Sequence, residues 1–239
     1  MSHLKGLIRG EFERLMRYRI IQVGFMVSVL WLLVMFLIGR EEARAFIPLF
    51  IFMDVALMTV MLIGAGLFYE RQENTLKSMM TSPATMAEII FSKLISAVYI
   101  AIQSAVFLGL FAYFFFDASV NFAILIPFVL IIALAHAMIG YAFSVWMKDF
   151  PTLLAATMMY MIIFGFPTIF YSLDILGEGL ETVLMFSPTH ASMLMIEFSF
   201  GEEVSTTLIV IGVIYLLVVA FVLGRYVVFP KYIEKAIKE

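Results

Sequence analysis

The chain has 239 residues, 64% hydrophobic and only 14% charged, with a formal net charge of −3 and a mean hydropathy of +1.06. Soluble domains are roughly 45–50% apolar and about 25% charged, so this composition excludes a soluble enzyme or binding module and indicates an integral membrane protein. There is no cysteine, which excludes disulfides and thiolate metal sites, and no dense basic face supports nucleic-acid binding.

Residues 1–19 come first. Leu4, Leu7, Ile8, Phe12, Leu15 and Met16 recur at helical spacing with Arg and Glu between them. This pattern predicts an amphipathic helix in the headgroup layer, basic side chains toward anionic lipid. The segment lacks the features of a cleavable signal peptide: it is charged throughout, and no small-residue cleavage site follows the first apolar run.

Six apolar runs then follow, at residues 20–38, 46–69, 93–116, 122–146, 152–171 and 205–228. Each is about the length that spans a bilayer. The runs are continuous rather than alternating, which predicts helices and excludes a membrane barrel. The expected fold class is an all-α membrane protein, a single transmembrane domain over residues 1–239. Thirteen of the fifteen basic residues fall in segments on one side, leaving Arg40 and Arg44 on the other. The positive-inside rule therefore places both termini in the cytoplasm and the chain in the inner (cytoplasmic) membrane.

Within the spans, Asp54 and His136 are the ionisable residues at depth, about 12 Å and 21 Å below the outer ends at 1.5 Å per residue. Ionisable groups there are costly and often functional. Asp54 and His136, with Met158 and Met161 as flexible apolar liners, are candidate pathway residues. Each has a plainer reading, as a helix-to-helix hydrogen bond or as a gap filler. The link at residues 172–204 is apolar but broken at Ser187-Pro188. It predicts two short helices forming a hairpin that dips into the outer half of the membrane.

The segment at residues 70–92 is the most specific stretch. Asn74 or Thr75 can cap a short helix over residues 76–81, and Ser82-Pro83 ends it. Thr85 and Glu88 form a T-x-x-E capping box that starts the helix of the third span. The link is thus a short helix across the cytoplasmic face, with Leu76, Met79 and Met80 as apolar teeth and Glu70, Arg71, Glu73 and Lys77 as charges. Such a surface suits a soluble partner.

Glu70, Thr75-Leu76, Thr81-Ser82-Pro83 and Lys93 resemble the E-x-x-x-G-T-L … T-P … K pattern of the membrane subunits of ABC-2 type (type V) ABC transporters. Asn74 stands where Gly is usual, and Ser82 is inserted before Pro83. IPLFIFMDVALM and MFSPTHASMLMIE are similar to the drug-export or membrane-active-peptide-export branch. The resemblance implies that residues 70–92 hold a coupling helix seated in a separate ABC ATPase. Glu70, Arg71, Glu73, Asn74, Thr75, Leu76, Met79, Met80, Pro83 and Lys93 would be the coupling residues. It implies a second permease copy, identical or a close paralogue, and outward movement of a hydrophobic or amphipathic substrate. It also implies that ATP and Mg belong to the partner. The chain itself has no phosphate loop of the G-x-x-x-x-G-K-[ST] type, and no cofactor is expected in it.

Two other classes fit a polytopic chain less well. An intramembrane protease lacks support, because no H-E-x-x-H occurs and His3, His136 and His190 are too scattered for a metal site. No catalytic or metal-binding residue is therefore expected. The alternative is a membrane anchor or sensor that recruits an ATPase without transporting.

Overall fold

The computed structural model describes residues 2–73 and 84–231. The described residues are helical with no strand, as a backbone in hydrocarbon requires. Six helical runs are long and apolar enough to cross a membrane: Ile20–Ile38, Arg40–Glu70, Met86–Phe116, Phe122–Trp146, Phe150–Ser172 and Thr206–Lys231. The protein is a multi-pass membrane protein, and these runs are numbered spans one to six below.

Helix α1 (Ser2–Arg17) precedes span one, which is α2 (Ile20–Ile38). Arg19 adopts a left-handed conformation (φ 62°) between them, a single-residue reversal that L residues seldom adopt. It turns the chain from α1 into the span. Phe12 meets Tyr99 of span three edge to face at 5.0 Å. Leu15 is buried, and its side chain lies over Gly66 of span two. The apolar stripe of α1 thus packs on the bundle.

Span two comprises α3 (Arg40–Phe52), a π segment (Met53–Met58) and α4 (Thr59–Gln72). It is the innermost span: 78% of its apolar window is buried, against 17% for span six. Its helix starts at Arg40 rather than near residue 46. The early start is compatible with membrane helices because Arg40 and Arg44 both pair with Asp117, at 2.7 and 3.2 Å. Span two lies closest to span four at glycines. A Cβ on Gly140 would come within 2.5 Å of the Val60 carbonyl oxygen, and one on Gly64 within 3.3 Å of the Gly140 carbonyl. Small residues let two backbones approach this way.

Span three is α5 (Met86–Phe116), and it begins at the Thr85–Glu88 capping box that the spacing predicts. Span four is α6 (Phe122–Trp146). A second capping box, between Asp149 and Thr152, starts span five directly after it. Span five contains α7 (Phe150–Tyr160), a π segment (Met161–Gly165) and α8 (Phe166–Ser172). Pro167 has no N–H to give to the preceding turn, which accounts for the loosened register just before it.

The hairpin follows: a 3-10 turn (Glu178–Leu180), α9 (Glu181–Leu184) and α10 (Pro188–Ser199). Its apex reaches down alongside spans five and six. Thr189 donates to the Phe164 carbonyl at 2.6 Å, and Tyr215 donates to the Phe186 carbonyl at 2.5 Å. Phe164 lies in the π segment of span five, so hydroxyls from Thr168 and Thr189 satisfy a carbonyl that the irregular turn leaves open. Ser187 stands at the N-cap of α10, but its hydroxyl bonds Thr189 at 2.7 Å instead of capping the backbone. Span six is α11 (Thr206–Val222) continued by a π segment (Leu223–Val228). The bundle thus has an α1 end, where the span two–three link emerges, and a hairpin end.

Candidate functional site

Two groups of polar residues are buried in this bundle. The first lies at the α1 end, where the span two–three link leaves and returns. Glu70 closes span two and Lys93 lies two turns into span three; both side chains are 2% exposed and they pair at 2.5 Å. Lys93 also reaches Glu11 of α1 at 3.1 Å. Arg14, one turn along α1, bonds Glu11 and lies 3.4 Å from Glu70. Two acids and two bases from three elements therefore close one network, as burial of charge requires. Burial pushes the Glu11 carboxyl up, but the Lys93 ammonium and the Arg14 guanidinium outweigh it and hold the group below its usual range.

Tyr18, just past α1, donates to Glu73 at 2.7 Å, the last described residue before the link. On the return side, Thr85 accepts from the Glu88 backbone at 3.3 Å, and the Glu88 carboxylate reaches back to the Thr85 N–H at 2.8 Å. Both ends of the link are therefore fixed, one of them to α1 directly. A force on the link would reach α1, span two and span three together.

The coupling residues expected from sequence divide into three groups. Glu70 and Lys93 are buried and face α1, so they anchor the link rather than present charge on its surface. Glu73 is exposed at the mouth of the link. Arg71 continues the helix of span two. Asn74, Thr75, Leu76, Met79, Met80 and Pro83, with the short helix expected over residues 76–81, lie outside the described residues. Glu11 and Arg14 complete the network, and neither is among the coupling residues expected from sequence.

The second group lies at mid-span. The Asp54 carboxylate, in the π segment of span two, accepts from the hydroxyls of Ser28 and Ser104, which lie 3.2 Å apart. Spans one, two and three therefore meet at one carboxylate. His136 is fully buried. Its Nδ1 lies 2.9 Å from the Ile132 carbonyl and its Nε2 3.2 Å from the Tyr160 hydroxyl. A carbonyl only accepts, so Nδ1 carries the proton and Nε2 accepts from Tyr160. With span two starting at Arg40, Asp54 and His136 each lie 14 residues from the hairpin end of their spans, at Arg40 and Phe122. That is roughly 21 Å for both, so the depth difference expected from sequence disappears. They still do not pair: one is turned to spans one and three, the other to span five.

Met158 is exposed on span five beside Met159, Ile162 and Ile163, and Met161 is half-buried in the π segment. None of Asp54, His136, Met158 and Met161 lines either of two cavities in the bundle. One cavity, of about 390 Å³, is an apolar groove between spans four, five and six, with the Tyr160 ring in its wall. The other, of about 660 Å³, opens at the hairpin end and is rimmed by acids. Among the described residues no group of three or more His, Asp or Glu side chains could hold a metal ion.

The family profile of the ABC-2 type transporter matches residues 3–200. No curated protein matches the chain. The matched region runs from α1 to the end of the hairpin, and so takes in the buried charge network, the span two–three link and five of the six spans. The chain belongs to the ABC-2 type transporter family and is the permease, the membrane-spanning component of an ABC transporter.

Proposed function

We propose that this permease is the membrane half of an ATP-driven exporter, moving a hydrophobic or amphipathic compound (a drug or membrane-active peptide) outward. A separate ABC ATPase binds ATP and Mg and docks on residues 70–92. The α1 end is cytoplasmic, which agrees with the distribution of Lys and Arg, and the hairpin re-enters the membrane from outside. A second copy of this chain or a close paralogue completes the pathway.

The observation that supports this reading best is the Glu11–Arg14–Glu70–Lys93 network. A loop that only joins two helices needs no such anchor. A loop that transmits a push needs ends that do not yield, because a soft junction would absorb the displacement. Met158 and Met161 are the pathway residues of this proposal: Met158 is exposed on the outside of span five, the face the proposal gives to the second copy. Asp54 and His136 act from within, by fixing spans one to three and four to five.

The experiment is to express the chain with its ATPase and delete residues 74–81. The proposal expects the permease to insert normally and the ATPase to be lost on purification. An ATPase that co-purifies at full strength with the deletion overturns the docking assignment.

A further inference from the structure

The acidic cavity at the hairpin end has no part in the coupling network. Its rim carries Asp174, Glu181, Glu197, Glu202 and Glu203. None of these five takes part in an ion pair among the described residues, and no basic residue lines the cavity. Its floor is apolar, with Met193, Leu194 and Leu208 among the lining side chains. The volume of about 660 Å³ falls within the range of sites that enclose a small organic molecule, about 300–1,000 Å³.

Two features separate this place from a merely charged surface. The first is the apolar part of the lining, which an inorganic ion would not use. The second is the spacing of the acids: no three of the described acidic side chains converge closely enough to hold a metal ion. They ring the space instead of meeting at a point. A ring of negative charge over an apolar floor fits a delocalised or singly charged cation carried on an apolar body. Glu197 lines the cavity. It sits on α10, half-buried, and accepts from Ser172 at the end of span five at 2.8 Å. The hairpin and span five therefore meet at the cavity wall.

We propose that this cavity binds amphipathic organic cations, with the acids of the rim holding the charge and the floor holding the apolar body. Its placement on the outer side of the membrane rests on the orientation given above; the binding itself does not. Within that orientation it is the last site a cationic compound occupies before release.

The test uses the full chain in phosphatidylcholine nanodiscs, with empty nanodiscs as background. The probes are tetraphenylphosphonium and tetraphenylborate, which share a shape and differ in the sign of charge. Saturable binding of the phosphonium alone is expected, weakened by about tenfold when Glu202→Gln and Glu203→Gln remove two charges. Leu208→Trp, which fills the floor and keeps the acids, should weaken it as well. Equal binding of the borate overturns the proposal. So does stoichiometric displacement of the phosphonium by calcium at constant ionic strength, which would assign the rim to an inorganic ion. An unchanged phosphonium affinity in both variants, with melting temperatures showing that they are folded, places the probe elsewhere and also overturns it. The charge-reversed pair and the calcium competition need no variant, so they decide even if a variant fails to fold. No ATPase is present, so failure here is distinct from failure of the docking assignment.

Discussion

Replacing Lys93 with Met removes the cation on which two buried carboxylates converge. Glu70 is 2% exposed and the Glu11 side chain 4%, so neither can turn to water without unpacking α1. Breaking one side of a buried ion network costs about 3–5 kcal/mol, because the surviving charge is left unpaired. Arg14 remains beside both acids and offsets part of this. For a chain of this size, the full cost corresponds to a fall of roughly 6–20 °C in melting temperature. Melting in detergent micelles measures the loss, and hydrogen exchange across α1 locates it. The exchange increase should concentrate in α1 and at the start of span three. A second variant carrying Lys93→Met, Arg14→Met, Glu11→Leu and Glu70→Leu should recover most of the stability, since a well-packed apolar set often replaces a buried ionic one at little cost. Transport coupling should stay impaired in it, because the anchor is lost. A melting shift below about 2 °C in the single variant, with α1 exchange unchanged, would refute the view that this network holds the link.

Other perturbations address other parts of the account. Gly140→Ala adds a methyl group 2.5 Å from the Val60 carbonyl oxygen, so spans two and four must separate; a stability loss of about 1–3 kcal/mol or more is expected in melting experiments. Asp54→Asn keeps one acceptor oxygen for Ser28 and Ser104, so it should hold the three spans together better than Asp54→Ala, and the two melting temperatures should rank in that order. Acid should free α1. Glu11 has a lowered carboxyl, so its stabilising contribution is present above the ordinary value near 4.5 and is lost as pH falls through the lowered one. Exchange of α1 amides should rise in that acid range. At the hairpin end, burial first and then the nearby Glu202 and Asp174 raise the Glu197 carboxyl to about 7, against the Ser172 hydrogen bond, which lowers it. Glu181 and Glu203 share the same rim. Phosphonium binding should therefore strengthen as pH rises from 6 to 8, and Glu197→Gln should remove most of that dependence.

The six spans and their order are legible in the sequence because hydrocarbon admits little else than continuous apolar helices. The two capping signals, at Thr85 and Ser187-Pro188, mark helix starts that the structure contains, although Ser187 turns its hydroxyl to Thr189. The inward turn of Glu70 and Lys93 is harder to read. They lie 23 residues apart, within two turns of helix ends, where charged residues usually face water. A signal was nonetheless present in α1: Leu4, Leu7, Ile8, Glu11 and Leu15 share one helical stripe, so Glu11 is an acid on an apolar face and needs a buried partner. The start of span two is hard to read for a related reason. Arg40 and Arg44 look like a boundary, but Asp117 after span three neutralises them, and the helix continues past. Ser28 carries no sequence signal for its bond to Asp54, since that contact depends on how three spans are rotated.

In the proposed exporter, ATP turnover in a partner drives a compound through this chain. The direct measurement is uptake of a fluorescent amphipathic compound into inside-out vesicles that contain the permease with its ATPase. Uptake is expected to require ATP and to be abolished by deleting residues 74–81. Steady ATP hydrolysis with no uptake of any compound, and at a rate indifferent to the compounds added, would contradict it and identify the chain as a membrane anchor or sensor for the ATPase.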